Sequence, residues 1–177
     1  MNIKIIDDAL PLNYAKILRR ELMVLPHTFN EYSLDEISQI NDDIRYSNSH
    51  LTHNLNEKEY RFNLNTFLNY ILSHINSDGE NISISDITRV HTNMQFPGVG
   101  GKTYHHDNTY LTAIWCASEN NGGSFEYIDE NQERVFIDDK FNRLIIFKEP
   151  SMPHKGNPPI NNNAGPRLNV AIKVKPK

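Results

Sequence analysis

The chain has 177 residues, a net charge of −4 and a pI near 6.0. This length suits one domain with a sizeable hydrophobic core. Lysines and arginines are scattered and outnumbered by acidic residues, so the basic stripe typical of nucleic-acid-binding proteins is missing and we do not expect nucleic acid as a partner.

The single cysteine, Cys116, has no second cysteine with which to form an internal disulfide. The sequence also lacks an N-terminal apolar run of signal-peptide or membrane length. We therefore expect a cytoplasmic protein with no membrane partner.

Residues 1–80 predict helical support and a candidate lid. A short apolar strand at 3–6 precedes a helix at 11–25, in which apolar residues recur at every third or fourth position. Residues 31–57 are polar and without periodicity, which indicates a long loop of the kind that gates binding sites. A second helix with a broad apolar face is predicted at 58–75.

Residues 81–177 predict the strands of a jelly-roll core. Short alternating runs are separated by turns rich in glycine, proline and aspartate. The predicted strands are 82–96, 111–117, 124–128, 134–137, 143–147 and 168–174. Helices followed by strands indicate a mainly-β α+β fold. With no internal repeat or linker, residues 1–177 are treated as a single domain.

One group of residues suggests a metal site. His105 and Asp107 are two residues apart, so on an extended segment they point to the same side, and His154 follows far downstream. Two imidazoles and one carboxylate hold one face of an iron(II) ion and leave the other face open. For the H-x-D pair alone, a polar surface turn is the alternative. His106 is interpreted as exposed or as a supporting neighbour of the ligands.

The last predicted strand has two different faces. Its polar positions are Arg167, Asn169, Ala171 and Lys173. If they point into the barrel, they line a cavity for a charged ligand, and the guanidinium suits a carboxylate. If they point outward, they face water. The alternation of side chains leaves both possibilities open.

Other motifs receive simpler interpretations. Residues 98–103 resemble the end of a phosphate-binding loop, but Phe96 stands where its first glycine belongs, so a flexible turn is predicted. Lys102 in this turn could reach the pocket mouth. His50 and His53 lack the further ligands that zinc requires and are interpreted as loop histidines.

Three isolated residues are assigned from their strand positions. Trp115 is expected to pack against the helices, because it alternates with the residues that face the site. Glu126 is interpreted as a solvated charge and Arg143 as an ion-pair partner.

Six segments between residues 88 and 175 carry a resemblance to a known family. They are FPGVGGKTYHHDN (96–108), YLTAIW (110–115), NNGGSFEYID (120–129), KFNRLIIFKEP (140–150), PHKGNPP (153–159) and GPRLNVAIKV (165–174). In order and spacing they resemble the iron(II)- and 2-oxoglutarate-dependent dioxygenases, within the prolyl-4-hydroxylase-like branch.

The resemblance implies a double-stranded β-helix in which His105, Asp107 and His154 hold iron(II). It also implies that 2-oxoglutarate chelates the metal while Arg167 pairs with its distal carboxylate. Consumption of O2 with decarboxylation of the co-substrate would then hydroxylate an unactivated C–H bond, with ascorbate as a supporting reductant. A prolyl residue in a peptide or protein is the expected substrate, and a free amino acid or small metabolite is the alternative.

Further site residues follow from the same resemblance. A tyrosine that some relatives use for the distal carboxylate falls near Cys116, so Thr112, Ile114 or another residue must complete that pocket. Thr92, Met94 and Phe96 are expected on the inner face of the strand that leads into the site. The expected co-substrate contacts besides Arg167 are Thr92, Phe96, Thr112, Ile114, Cys116 and Asn169, and the expected substrate contacts are Met94, Lys102, Tyr104 and Lys173.

The sequence is compatible with two other functions. A nucleic-acid dealkylating oxygenase is suggested by the likeness of residues 167–173 to the R-x-N-x-T-x-R signature, although Ala171 and Lys173 differ from it. A β-barrel that has lost catalysis and serves as a binding module is the third hypothesis. All three predicted ligands and the arginine are present, which favours an enzyme.

Overall fold

The computed structural model describes residues 3–25, 28–30, 50–54, 64–97, 103–107, 109–119, 122–148, 151–160 and 165–175. Among them are two α-helices, α1 (Leu12–Met23) and α2 (Leu64–Asn76), and a 3-10 helix (Ile84–Asp86). The strands are β1 (Ile3–Ile6), β2 (Thr28–Asn30), β3 (His50–Asn54), β4 (Ile87–Gln95), β5 (Leu111–Cys116), β6 (Ser124–Ile128), β7 (Arg134–Asp138), β8 (Leu144–Phe147), β9 (His154–Asn157) and β10 (Arg167–Val174).

The strands form two antiparallel sheets. The larger has the order β1-β8-β5-β10-β4-β3-β2, and the smaller has the order β7-β6-β9. Phe125 and Ile137 of the smaller sheet share a buried cluster with Ile114, Ile145 and Phe147 of the larger, so the sheets face each other across an apolar layer. This is a double-stranded β-helix, and the prediction of a mainly-β α+β fold is confirmed.

The two helices cover the other face of the larger sheet, where a second and larger apolar cluster lies. Trp115 of β5 is fully buried there, and its ring centroid is 5.6 Å from that of Phe67 on α2. The predicted packing of Trp115 against the helices is confirmed. The site-facing and helix-facing sides of the sheet are therefore distinct in composition.

The first helix is shorter than the predicted 11–25. α1 begins after Pro11, whose fixed φ suits a helix start and whose missing N–H is not needed there. Its buried residues, Ala15, Leu18 and Leu22, follow helical spacing, whereas Leu12 is exposed. Residues 58–63 of the second predicted helix lie outside the described residues. No helix in the described part of the chain is both long enough and apolar enough to cross a membrane.

Most predicted strands are observed within two residues of their expected ends, with one clear exception. The strand expected to begin at residue 82 begins at Ile87, because Asp86 accepts hydrogen bonds from the backbone N–H and the hydroxyl of Ser83 at 2.8 and 2.7 Å. These bonds organise the 3-10 helix at Ile84–Asp86 instead of a strand.

Three of the described strands, β2, β3 and β9, were not predicted. β9 is short and contains His-Lys-Gly-Asn, which has no β-branched or aromatic residue to indicate a strand. β3 lies within the predicted loop at 31–57, and that prediction is wrong for residues 50–54, which pair with β4. The other residues of the candidate lid lie outside the described residues.

Asn142 joins the N-terminal segment to the larger sheet. Its Oδ1 accepts hydrogen bonds from the backbone N–H of Leu10 and from the indole N–H of Trp115, both at 3.0 Å. Its Nδ2 donates to the carbonyl of Leu10 at 2.7 Å. The residue is fully buried and has a φ of 65°, a left-handed conformation that asparagine tolerates.

We expect Asn142→Ala to lower the free energy of unfolding by about 3–5 kcal/mol. The substitution leaves three buried polar groups without their partner, and alanine adds the cost of the left-handed backbone. Chemical denaturation of the purified protein measures the change. Gln132→Ala is the matched control, because Gln132 has the same φ of 65° in an exposed turn. Equal losses in both variants would show that the side-chain bonds of Asn142 contribute nothing.

Candidate metal centre

The three predicted metal ligands meet where the two sheets approach each other. His105 lies in the segment between β4 and β5, and its backbone pairs with that of His154 at the start of β9 through two hydrogen bonds of 3.0 Å. The imidazole centroids are 4.4 Å apart, and one ligand atom from each of His105, Asp107 and His154 lies within 4.8 Å of the others. The structure thus brings the three residues together, as the sequence predicts.

Both histidines are oriented by backbone carbonyls. Nδ1 of His154 lies 2.9 Å from the carbonyl of Met152, and Nδ1 of His105 lies 3.3 Å from that of Thr103. Since a carbonyl oxygen only accepts, Nδ1 is the donor in each contact, and Nε2 of each ring is left to face the site. Such an orienting hydrogen bond is typical of histidines that bind metals. The neighbouring His106 is exposed, as predicted.

Asp107 is buried and held as an anion. Its Oδ2 accepts a hydrogen bond from the Thr112 hydroxyl at 2.7 Å, contacts the Lys173 ammonium and lies 3.3 Å from Nε2 of His154. Burial opposes ionisation, but His154 and Lys173 outweigh it and hold the pKa of Asp107 well below its usual range. No bond from Oδ1 to another described residue is seen, so one oxygen is supported while the other can face a cation.

A cavity extends from these ligands between the sheets. Besides His105 and His154, four predicted site residues line it, namely Ile114, Arg167, Asn169 and Lys173. Arg167 and Asn169 are each 3% exposed, so the polar face of β10 points into the barrel and the alternative of a water-facing strand is wrong. His91, Asn93 and Phe125 also line the cavity and were not predicted.

The register of β4 differs from the predicted one by one residue. Arg167 lies opposite Gln95 and Asn169 lies opposite Asn93, and residues directly opposite each other share a face. The odd-numbered residues of β4 therefore face the cavity.

The prediction that Thr92, Met94 and Phe96 share the inner face is wrong. Met94 belongs to the apolar cluster beneath the helices, Thr92 is buried on that same side of β4, and Phe96 follows the end of the strand and is 43% exposed. A register shift of one residue reverses every side chain of a strand, which explains the joint error.

Thr112 and Cys116, two residues predicted to contact the co-substrate, lie at opposite ends of the cavity. Thr112 contacts Asp107, whereas the thiol of Cys116, on the same face of β5, donates to Asp139 at 3.7 Å at the other end of the cavity. Burial raises the pKa of Cys116, so this thiol stays protonated. Lys102 lies outside the described residues. Tyr104 is partly exposed and its hydroxyl donates to Glu126.

Arg167 is fixed at the far end of the cavity by three hydrogen bonds. Its Nε and Nη2 donate to the two carboxylate oxygens of Asp139 at 2.5 and 3.1 Å, and its Nη1 donates to Oε1 of Gln95 at 3.0 Å. Gly156 leaves the necessary space, since a Cβ at that position would lie 2.5 Å from Nη1. Neither Asp139 nor Gln95 was predicted, because both are distant from Arg167 in sequence.

Glu126 is a buried charge and not the solvated one predicted. Its side chain is 0% exposed and accepts hydrogen bonds from Arg134 at 2.6 Å, from Asn157 at 2.8 Å and from Tyr104, with Lys155 at 3.2 Å. Burial raises the pKa of Glu126, but these donors outweigh it and lower the pKa to about 2. The cluster ties Tyr104, next to His105, to the smaller sheet.

Arg143 pairs with Asp7 at 2.7 Å, which confirms its predicted role as an ion-pair partner.

No protein-family model matches this chain, and no curated protein matches it in sequence. Solved structures do match. A prolyl-4-hydroxylase from Pseudomonas putida superposes with a TM-score of 0.67 at 13% identity, over 99% of this chain and 92% of that one. The chain has the fold of the iron(II) and 2-oxoglutarate oxygenases.

Two further structures show the range of proteins that share this fold. A prolyl hydroxylase from Trichoplax adhaerens, in complex with a peptide from a hypoxia-inducible factor, has a TM-score of 0.69 at 18% identity and covers 98% of this chain and 83% of its own. HygX from Streptomyces hygroscopicus, with nickel, 2-oxoglutarate and hygromycin B bound, has a TM-score of 0.65 at 9% identity. The superposition covers 99% of this chain and 83% of HygX.

We expect Glu126→Gln to destabilise the protein by about 2 kcal/mol at neutral pH, because it weakens several charge-assisted hydrogen bonds. The pKa of Glu126 is lowered from 4.5 to about 2 on folding, so its stabilising effect is present above about pH 4.5 and is lost as the pH falls towards 2. The difference between the wild type and the variant should therefore shrink over this range in chemical denaturation.

Glu133→Gln is the control for this prediction. Glu133 lies in the same hairpin but is exposed, so its substitution should change the free energy of unfolding by less than about 0.5 kcal/mol. A difference between the wild type and Glu126→Gln that stays constant from pH 7 to pH 2 would contradict the role assigned to the Glu126 charge.

Proposed function

We propose that this chain is an iron(II)- and 2-oxoglutarate-dependent dioxygenase that hydroxylates an unactivated C–H bond. The observation that carries the proposal is a cavity lined at one end by His105 and His154, which lie beside Asp107, and at the other end by the buried guanidinium of Arg167. A metal chelated by a 2-oxo acid and a second carboxylate bound by arginine fit these two ends.

The donor set suits iron(II). Two neutral imidazole nitrogens and one carboxylate oxygen are the ligands of a facial triad, which leaves positions open for other molecules. When bound, iron(II) supplies the place where O2 and the co-substrate react. Thr112 and Lys173 hold the carboxylate of Asp107, so the ligand keeps its position when the co-substrate enters and leaves.

Arg167 has donors left for the distal carboxylate of the co-substrate. A guanidinium has five N–H groups, and three of those of Arg167 are used by Asp139 and Gln95. The two others have no hydrogen-bond partner among the described residues. Charge-assisted hydrogen bonds between a guanidinium and a carboxylate are among the strongest hydrogen bonds in proteins.

Two aromatic rings pack against the ligand His154 and keep it in place. Phe147 and Phe125 are buried, with ring centroids 5.0 and 5.6 Å from that of His154. On the opposite wall, the amide of Asn93 donates to Asn169 at 3.0 Å. These residues position the reactants, and the reaction requires no side chain to act as acid or base.

A prolyl residue in a peptide or protein is the proposed substrate. Support comes from the two prolyl hydroxylases with this fold, one of them in complex with a peptide. A small molecule is the second candidate, because HygX with bound hygromycin B has the same fold. The net charge of −4 disfavours a nucleic acid.

We expect His105→Ala to weaken binding of manganese(II), a stand-in for iron(II), by at least about 100-fold, because one of three ligands is lost. Isothermal titration calorimetry measures the affinity, and circular dichroism checks that the fold is kept. His106→Ala removes an adjacent but exposed imidazole and should leave the affinity unchanged. Equal affinities of the wild type and His105→Ala would exclude this metal site.

We expect the purified protein with iron(II), ascorbate and 2-oxoglutarate to release succinate and to add one oxygen atom to some proline-containing peptides of a library. Mass spectrometry detects the product, and a matched library with alanine in place of proline is the control. Oxygen addition to small metabolites alone would assign the second substrate class. A protein that neither binds 2-oxoglutarate nor releases succinate with any substrate would contradict the proposed function.

A further inference from the structure

The arginine at the far end of the cavity already has a carboxylate partner. Asp139 is 0% exposed and Arg167 is 3% exposed, and two parallel hydrogen bonds join them. The charge of the guanidinium is therefore offset before any ligand arrives. A distal carboxylate of a co-substrate would share Arg167 with an anion of the protein.

Asp139 is held in place by groups other than Arg167. It follows β7, its backbone N–H donates to the carbonyl of Gly123 at 2.9 Å, and its Oδ1 accepts the weak hydrogen bond of the Cys116 thiol. The carboxylate thus belongs to the framework of the smaller sheet and the loop after it.

The two ends of the cavity differ in the net charge that a dianionic co-substrate would meet. At the metal end, Lys173 contacts Asp107, and a divalent cation would add further positive charge. At the far end, the charges of Arg167 and Asp139 cancel. Because both groups are buried, water screens their interaction with a nearby carboxylate only weakly.

We propose that Asp139 is a positioning residue that sets how tightly the site holds a co-substrate with a second carboxylate. This inference rests on the proposed function. Asp139 orients the guanidinium through two hydrogen bonds and lowers the positive potential that a distal carboxylate meets. Replacing it by asparagine keeps the shape and one acceptor, but removes the opposing charge.

The test compares two ligands in the manganese(II)-loaded full chain. 2-Oxoglutarate has a distal carboxylate, whereas 2-oxobutanoate offers the same chelating group without it. In isothermal titration calorimetry, Asp139→Asn should bind 2-oxoglutarate about tenfold or more tightly than the wild type does. Its affinity for 2-oxobutanoate should stay within about twofold, because this ligand does not reach Arg167.

Asp138→Asn is the matched control. It removes the same charge from the adjacent residue, which is exposed, so both affinities should stay near those of the wild type. An unchanged or weaker affinity of Asp139→Asn for 2-oxoglutarate would overturn the inference. An equal change for both ligands would also overturn it, since that result indicates a general change in the cavity.

Asp139→Asn leaves a buried guanidinium without its anion and can fail to fold alone. In that event 2-oxoglutarate, but not 2-oxobutanoate, should restore the folded circular dichroism spectrum, because its distal carboxylate replaces the missing anion. Failure of both ligands to restore the fold would refute the inference. Lack of 2-oxoglutarate binding by a wild type that does bind manganese(II) would instead refute the proposed function itself.

Discussion

The alternation of side chains along β10 is the constraint on which the site depends. This strand lies between β4 and β5 in the larger sheet and is buried on both faces. Leu168, Val170 and Ile172 join the apolar cluster beneath the helices, whereas the alternate residues line the cavity. One strand thus anchors the sheet to its helical support and supplies Arg167 and Lys173 to opposite ends of the site.

The parts of the site that the sequence predicted depend on short-range spacing. His105 and Asp107 are two residues apart, and the alternation from Arg167 to Lys173 is visible without any partner strand. The face of β4 was not predictable in this way, because every residue from Val90 to Gln95 is buried and the pattern lacks contrast. Only the pairing of Arg167 with Gln95 determines which residues face the cavity.

The buried charges show a second limit of sequence analysis. Glu126 looks like a surface residue in an alternating strand, yet Tyr104 and Asn157 approach it from segments distant in sequence. Asp139 follows a strand in what reads as a polar turn, although its partner is 28 residues away. A charged side chain in a strand or turn is usually solvated. The burial of Glu126 and Asp139 is favourable because the folded chain places Arg134 and Lys155 beside the first and Arg167 beside the second.

The short strand β9 has a geometric consequence for what the cavity can hold. His154 reaches the metal end, and Gly156, two residues later, makes room for the guanidinium at the far end. Two residues of extended chain span about 6.6 Å. Because a slip in the pairing of β9 with β6 would displace His154 and Gly156 together, a single short ladder controls both the metal end and the room for the guanidinium.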